Sequence, residues 1–472
     1  MKDITEKKDF NEHPEKKSAT EQTSRLSGAV FFFLCLIPVF STIAFGGVDA
    51  WALGLNSIFC AVLAILWLAD SWISKEFRYH SSLLQIPLVG LLIIGIIQLL
   101  PLRSFDNSGN LLSISAVSSL SLDPYSTRFF VIQLVGYIVF FAAALTFINN
   151  QKRMQKTVLI TIIFGAIMAF AGILQRLASP DAIYGVRPTP QAIPFASFVN
   201  QHHFAAFMNL TLGLTLSLLF GKALKKDKSL LLIIAAFLML VALIFTSSRG
   251  GILSFFGVLA FVFLPMFLNR DSGSETHDQK EKRGFRNKFL LLAGAFAAIF
   301  AVVGAVFLLG GESSLVRGIG FSGQADISSG RTHFWAIALQ IFLDHPIFGA
   351  GLNAFGAAFT KYDTWNGAFR VEQAHNDYLQ ILADAGIAGF ACIAAFIYFL
   401  FKKVLPHIDS SMSHFRRSAA VGALAGCFGI LIHSFFDFPL RTPSNAFFFL
   451  MFAAIATVTI HQPKNERRHR QR

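Results

Sequence analysis

Residues 229–246 read Ser-Leu-Leu-Leu-Ile-Ile-Ala-Ala-Phe-Leu-Met-Leu-Val-Ala-Leu-Ile-Phe-Thr, a run without a single charge. About 20 apolar residues in helical conformation cover the hydrocarbon core of a bilayer, so this stretch reads as a transmembrane helix. A second apolar run, 251–268, follows after a very short turn, and a third, 203–220, precedes it across the basic segment 221–228. The same pattern continues outward in both directions, near 27–46, 51–69, 82–100, 128–148, 157–176, 288–309, 380–401, 418–436 and 445–460. With 54% hydrophobic residues, 53 Phe and only 14% charged residues, a water-soluble domain has too little interior for so much apolar surface, and lipid must be the solvent. The fold class is therefore all-α, a polytopic membrane protein of about 12 transmembrane helices with one large external loop.

The division that follows is a cytoplasmic polar tail (1–26), helices 1–9 (27–309), an external loop with a surface helix (310–377), helices 10–12 (378–460) and a basic cytoplasmic tail (461–472). The polar tail before the first span, and the lack of an Ala-x-Ala pattern after it, argue against a cleaved signal peptide. Cys35, Cys60, Cys392 and Cys427 all fall in spans, where they act as small apolar residues and form neither a disulfide framework nor a zinc site. With the N-terminus placed in the cytoplasm, 30 of the 40 Lys and Arg residues fall on the cytoplasmic side, in the two tails and in 70–81, 149–156, 221–228, 269–288 and 402–417. That bias sets both termini inside and supports an even number of spans. The basic loops, such as Lys280-Glu-Lys-Arg283, are topology signals that also touch anionic membrane lipid; nucleic acid is not an expected partner.

The cations left on the outer side carry more information: Arg103, Arg128, Arg176, Arg187, Arg249, Arg317, Arg331, Lys361, Arg370 and Arg441. Arg249 lies in the short turn Phe245-Thr-Ser-Ser-Arg-Gly-Gly251, held at the bilayer surface, where a rigid guanidinium fork suits phosphate. Its bland reading is an interfacial anchor. Ser247, Ser248 and the paired glycines favour binding, since they let backbone amides approach a ligand. Arg331 follows Ser328-Ser-Gly330 at the start of a helix of 332–344 that is too short to span and is ended by Pro346; its position is the positive end of a helix, which attracts anions. Gly349-Ala-Gly351 reads as a tight turn before the next helix rather than a nucleotide loop.

His375, in Glu372-Gln-Ala-His-Asn-Asp-Tyr-Leu-Gln380, stands where the longest polar stretch meets an apolar span. An imidazole titrates near neutral pH and can take a proton from a sugar hydroxyl in a compartment without ATP. A hydrogen-bonded structural His at a membrane boundary is the plainer alternative. Adjacent His202 and His203, with His333, His345 and His433 on the same side, lack the i, i+4 spacing of a helical metal site and any Cys or carboxylate cluster, so no metal and no cofactor is expected. Asp437, Glu372 or Asp377 can orient an imidazole, bind a sugar hydroxyl or pair with an Arg, and the residues alone leave these open.

Together, Thr246-Ser-Ser-Arg-Gly-Gly251, Gly330-Arg331 with Trp335, Pro346-x-x-Gly-x-Gly351 and His375-Asn-Asp-Tyr-Leu-Gln380 resemble the O-antigen ligase and polymerase family of bacterial membrane glycosyltransferases. The similarity spans roughly 195–440 and includes Phe198-Val-Asn-Gln-His-His-Phe204. What it implies is a metal-independent, inverting transferase that takes a glycan from an undecaprenyl diphosphate carrier on the outer face of the bacterial inner membrane. Arg249 and Arg331 then hold the diphosphate and His375 is the general base, with Ser248, Glu372, Asn376, Asp377, His433 and Asp437 in support. The acceptor is lipid A-core in a ligase or a growing glycan in a polymerase. With a dozen residues after the last span, no appended domain for protein substrates is expected. A lipid-linked glycan flippase or other transporter is the competing class, but it should show charged or broken helices in two matching halves. A purely structural scaffold leaves the one-sided Arg and His set unexplained.

Overall fold

The computed structural model describes residues 25–104, 117–178, 182–190, 192–268, 330–365, 371–408 and 412–460. These form thirteen α-helices: α1 Arg25–Ile43, α2 Ala50–Ser74, α3 Gln85–Leu99, α4 Pro124–Phe147, α5 Gln151–Ala178, α6 Gln201–Phe220, α7 Lys226–Phe245, α8 Arg249–Leu268, α9 Arg331–Asp344, α10 Phe355–Tyr362, α11 Asp377–Val404, α12 His414–His433 and α13 Pro443–Ile460. Eight are long and apolar enough to cross a membrane, and Gln85–Leu99, Arg249–Phe263 and Pro443–Val458 are shorter apolar helices. The chain is an all-α polytopic membrane protein. Each expected span has its helix except 288–309, which lies outside the described residues together with Arg317, Arg370, most of the polar stretch before Gly330 and the two tails.

Lipid is as apolar as Leu, so helices in a bilayer associate through close packing and polar contacts rather than through burial of apolar surface. The pair α6 and α12 shows this directly. A Cβ added at Gly213 would lie 2.7 Å from the backbone nitrogen of Gly426, and one at Gly422 would lie 2.8 Å from Cα of Leu214. The two backbones touch, and any side chain at these positions would force them apart. Both are well enclosed, with 89% of the apolar window of α6 and 78% of that of α12 buried. Their contact brings the start of α6, with His202 and His203, to the end of α12, with His433 and the loop that follows.

The long helix α11 is interrupted. Gly386 has φ 62° and ψ −162°, a conformation open to glycine, and it separates a half-helix of 377–385 from the remainder. The chain of 346–351 docks into the interruption: Ile387 and Ala388 donate N–H to the carbonyls of Pro346 (2.9 Å) and Ile347 (3.2 Å), while Ala350 and Gly351 donate to Ala383 (2.8 Å) and Asp384 (3.0 Å). Backbone groups freed inside a membrane must find partners in the protein, and this segment supplies them. Gln98 of α3 closes the junction, donating Nε2 to the carbonyl of Asp384 at 2.8 Å and accepting the Leu352 N–H at 2.8 Å. The Pro346-x-x-Gly-x-Gly351 sequence is thus not simply a turn ahead of a helix. Its glycines allow close docking, since a Cβ at Gly349 would meet the Ala385 nitrogen at 2.3 Å.

The cysteines sit in helices α1, α2, α11 and α12 and are free. Their placement leaves room for a topology test. With the native cysteines replaced, a membrane-impermeant thiol reagent applied from outside should label a cysteine introduced at position 325 and spare one at 280. The reverse pattern would overturn the orientation set by the basic loops.

Candidate active site at one end of the bundle

The residues before α11 and α6 are shaped by asparagine caps. Asn376 accepts the N–H groups of Tyr378 (3.0 Å) and Leu379 (3.1 Å), and Asn200 accepts that of His202 (2.8 Å). Asn376 also donates Nδ2 to the carbonyl of Phe435 at 3.2 Å. This fixes the residue just ahead of the cap, and His375 takes a left-handed backbone conformation with φ 51°. Such a conformation is uncommon outside glycine and is held only where surrounding structure demands it.

The imidazole of His375 directs Nδ1 at Oδ1 of Asp437, 3.2 Å away. A carboxylate can only accept, so Nδ1 is the donor, and in the neutral ring the lone pair is then on Nε2. Asp437 is a buried hub: Nε2 of His203 lies 3.9 Å from the same Oδ1, and Nη2 of Arg331 lies 3.8 Å from Oδ2. Burial pushes the Asp437 carboxyl up, but the His375 hydrogen bond and the charges of His203, His375 and His202 outweigh it and hold the group far below the usual carboxylate range. A depressed carboxyl contributes stability that is in place above its unfolded value of about 3.9 and is lost as pH falls through the folded value. Asp437 therefore stays ionised across the neutral range.

Phe438 lies edge-on to both His203 and His375, at centroid distances of 4.6 and 4.8 Å, and Phe334 of α9 lies 5.9 Å from His375. His203 is fixed by Nδ1 against Thr442 Oγ1 at 2.7 Å, and His202 by Nδ1 against Ser248 Oγ at 2.9 Å. Arg249, at the first position of α8, is exposed, and it and Arg331 both act electrostatically on the His202 ring. The chain leaves this end of the bundle along α8 and is back there at Arg331. Others of the cations assigned to that side by the sequence are already paired, Lys361 with Asp344 at 3.6 Å among them. Arg187 holds Asp49 through Nε (2.7 Å) and Nη2 (2.6 Å), and Arg441 binds Asp384 inside the bundle.

The supporting residues take separate places. Ser248 receives the Gly251 N–H at 3.1 Å and so caps α8. The glycines beside it serve packing: a Cβ at Gly250 would meet Phe436 at 3.0 Å and His433 at 3.3 Å, and one at Gly251 would meet Ala205 at 2.7 Å. The amide of Gly251 is itself used in the cap of α8. Asp377 braces the half-helix, accepting the Ser434 hydroxyl at 2.8 Å and the Leu440 N–H at 3.3 Å while its own N–H bonds the Ser434 carbonyl. Glu372 is exposed and lies over Gly356 of α10, whose added Cβ would meet Oε2 at 2.2 Å. His433 is buried against the first turn of α8. Of the three carboxylates left open by the residues alone, Asp437 is the one hydrogen-bonded to His375.

His202, His203 and Asp384 carry more of the arrangement than their spacing suggested. Among the described residues no group of three or more His, Cys, Asp or Glu side chains has metal-holding geometry. For Asp384 a signal was present, since a carboxylate within an apolar span needs a partner. Its partner is Arg441, and Asn353 N–H (3.2 Å) and Gln380 Nε2 (3.2 Å) complete the shell of Oδ2.

A His–carboxylate pair with Arg331 beside it, and Arg249 acting on the neighbouring His202 ring, thus stand at one end of a polytopic helical bundle. Residues 234–394 match the family model described as O-Antigen ligase, and the chain's resemblance to the O-antigen ligase and polymerase family rests on that segment. The match covers Arg249, Arg331 and His375, while His202, His203, Asp437 and Arg441 lie outside it. No curated protein matches the chain. The family implies lipid-linked glycan substrates and a membrane environment.

Proposed function

We propose that the protein is an inverting glycosyltransferase that moves a glycan from an undecaprenyl diphosphate carrier to an acceptor hydroxyl at the outer face of the inner membrane, with ligation to lipid A-core as the first reading. The observation that carries it is the His375–Asp437 pair facing Arg331. Asp437 keeps the Nδ1 proton on His375, so Nε2 takes the proton of the acceptor hydroxyl. The hydroxyl oxygen attacks the anomeric carbon from the face opposite the diphosphate, the bond from that carbon to the diphosphate oxygen breaks, and its electron pair leaves on undecaprenyl diphosphate. Arg249 and Arg331 take up the charge that develops there, and the family needs no nucleotide because the donor is already activated. Holding two membrane-confined substrates together supplies further acceleration. Polymerisation of repeat units uses the same chemistry and differs only in the acceptor.

Reconstitution with a lipid diphosphate glycan and both kinds of acceptor, followed by product analysis, tests the reading. A new glycosidic bond with inverted configuration supports it; movement of the lipid-linked glycan across the bilayer without a product supports transport instead. Arg249→Lys and Arg331→Lys should each lower turnover severely, because an ammonium loses the two-point grip of a guanidinium on a diphosphate. Turnover of either variant close to that of the unaltered protein would remove that arginine from the donor site.

A further inference from the structure

Beside the catalytic pair, α9 and the residues after α10 build an aromatic platform. His333 directs Nε2 at Asp363 Oδ1, 2.9 Å away, and the same oxygen accepts the Trp365 N–H at 3.0 Å. One carboxylate thus fixes both the imidazole and the chain that carries the indole. The two rings stack face to face, with centroids 4.2 Å apart and planes 6° from parallel. With one face of the indole covered by His333, the 47% exposure of Trp365 belongs chiefly to its other face and edge. The platform joins the reacting end of the site: Phe334 lies 5.8 Å from Trp365 and 5.9 Å from His375, and a Cβ at Gly330, next to Arg331, would meet Cη2 of Trp365 at 3.0 Å.

We propose that Trp365, backed by His333, is a stacking subsite for a pyranose of the donor glycan; this rests on the transferase reading above. An indole face offers a broad apolar, electron-rich surface to the C–H groups on one side of a sugar ring, and an indole already immobilised by stacking loses little conformational freedom on binding. The donor rather than the acceptor is the occupant because the platform borders Gly330 and Arg331, where the diphosphate is held. Trp365 is separated from His375 by the Phe334 ring, so it meets a sugar beyond the first.

The test compares two donors, undecaprenyl diphosphate carrying one sugar and the same carrier with a complete repeat unit, using the full chain in lipid nanodiscs. W365A should lower kcat/KM for the long donor about three- to tenfold more than for the short one, mainly through KM, and W365F should restore most of the difference. Equal losses with both donors, or no loss with either, would overturn the subsite. A second readout does not depend on turnover: the lipid-free repeat-unit oligosaccharide should bind the unaltered protein and lose affinity on W365A, with W365F intermediate. Absence of product from every donor with this binding intact would refute the transferase reading and keep the subsite. Product formation with binding indifferent to Trp365 would do the opposite.

Discussion

His375→Ala should abolish transfer while leaving a folded protein that still binds the lipid diphosphate. Loss of a general base costs on the order of a hundred- to ten-thousand-fold in rate, without an equal loss of donor affinity, because the base acts on the acceptor and not on the diphosphate. The geometry sharpens the expectation. His375 makes its hydrogen bond through Nδ1 to a buried carboxylate, and its side chain is 29% exposed, so Nε2 can face a substrate. If the residue served only to tie the loop before α11 to the loop after α12, activity would track the amount of folded protein. Turnover per folded molecule for His375→Ala and His375→Gln separates the two, and near-normal turnover in either variant would remove His375 from the mechanism. Asp437→Asn should lower turnover through the same step, since an amide no longer demands the Nδ1 proton.

Arg441→Leu should cost about 3–5 kcal/mol of stability, because it leaves the Asp384 carboxylate buried without its counter-charge. The Arg441 side chain is 12% exposed and that of Asp384 fully buried, so solvent does little to screen the pair. Asp384→Asn combined with Arg441→Leu should recover much of the loss, as the uncompensated charge is gone. Thermal unfolding in a single detergent measures both, and a single variant as stable as the unaltered protein would show that the pair contributes little. The consequence extends to the active site. The half-helix of 377–385 is joined to the 434–441 loop at its start by Asp377 with Ser434 and Leu440, and at its end by Asp384 with Arg441. These two segments hold His375 and Asp437, so their register decides whether the imidazole meets its carboxylate.

Much of the architecture was legible from composition and from the length of apolar runs. A bilayer demands about 20 apolar residues per crossing and internal satisfaction of every backbone group, which leaves helices as the economical solution. The caps at Asn200 and Asn376 rest on chemistry that is local in sequence, but only the structure placed the helix starts there, ahead of the apolar runs. The interruption of α11 was not legible, since Gly386 lies in an apolar run like many other glycines. What gives it a role is the docked segment 346–351, some forty residues earlier in the chain. The same holds for Gly250 and Gly251, whose neighbours Phe436, His433 and Ala205 belong to other helices.

By itself the sequence determined that the chain spans a membrane many times, and it singled out Arg249, Arg331 and His375 in motifs that resemble those of the O-antigen ligase and polymerase family. These are properties of segments, set by transfer to lipid and by local chemistry. Only the tertiary structure decided that Asp437, rather than Glu372 or Asp377, meets His375, that Arg331 faces the same carboxylate, and that Arg441 is committed to Asp384. Those pairings join residues far apart in the chain across glycine-lined helix contacts, and a carboxylate's partner is fixed by which groups the packing brings within a few ångströms of it.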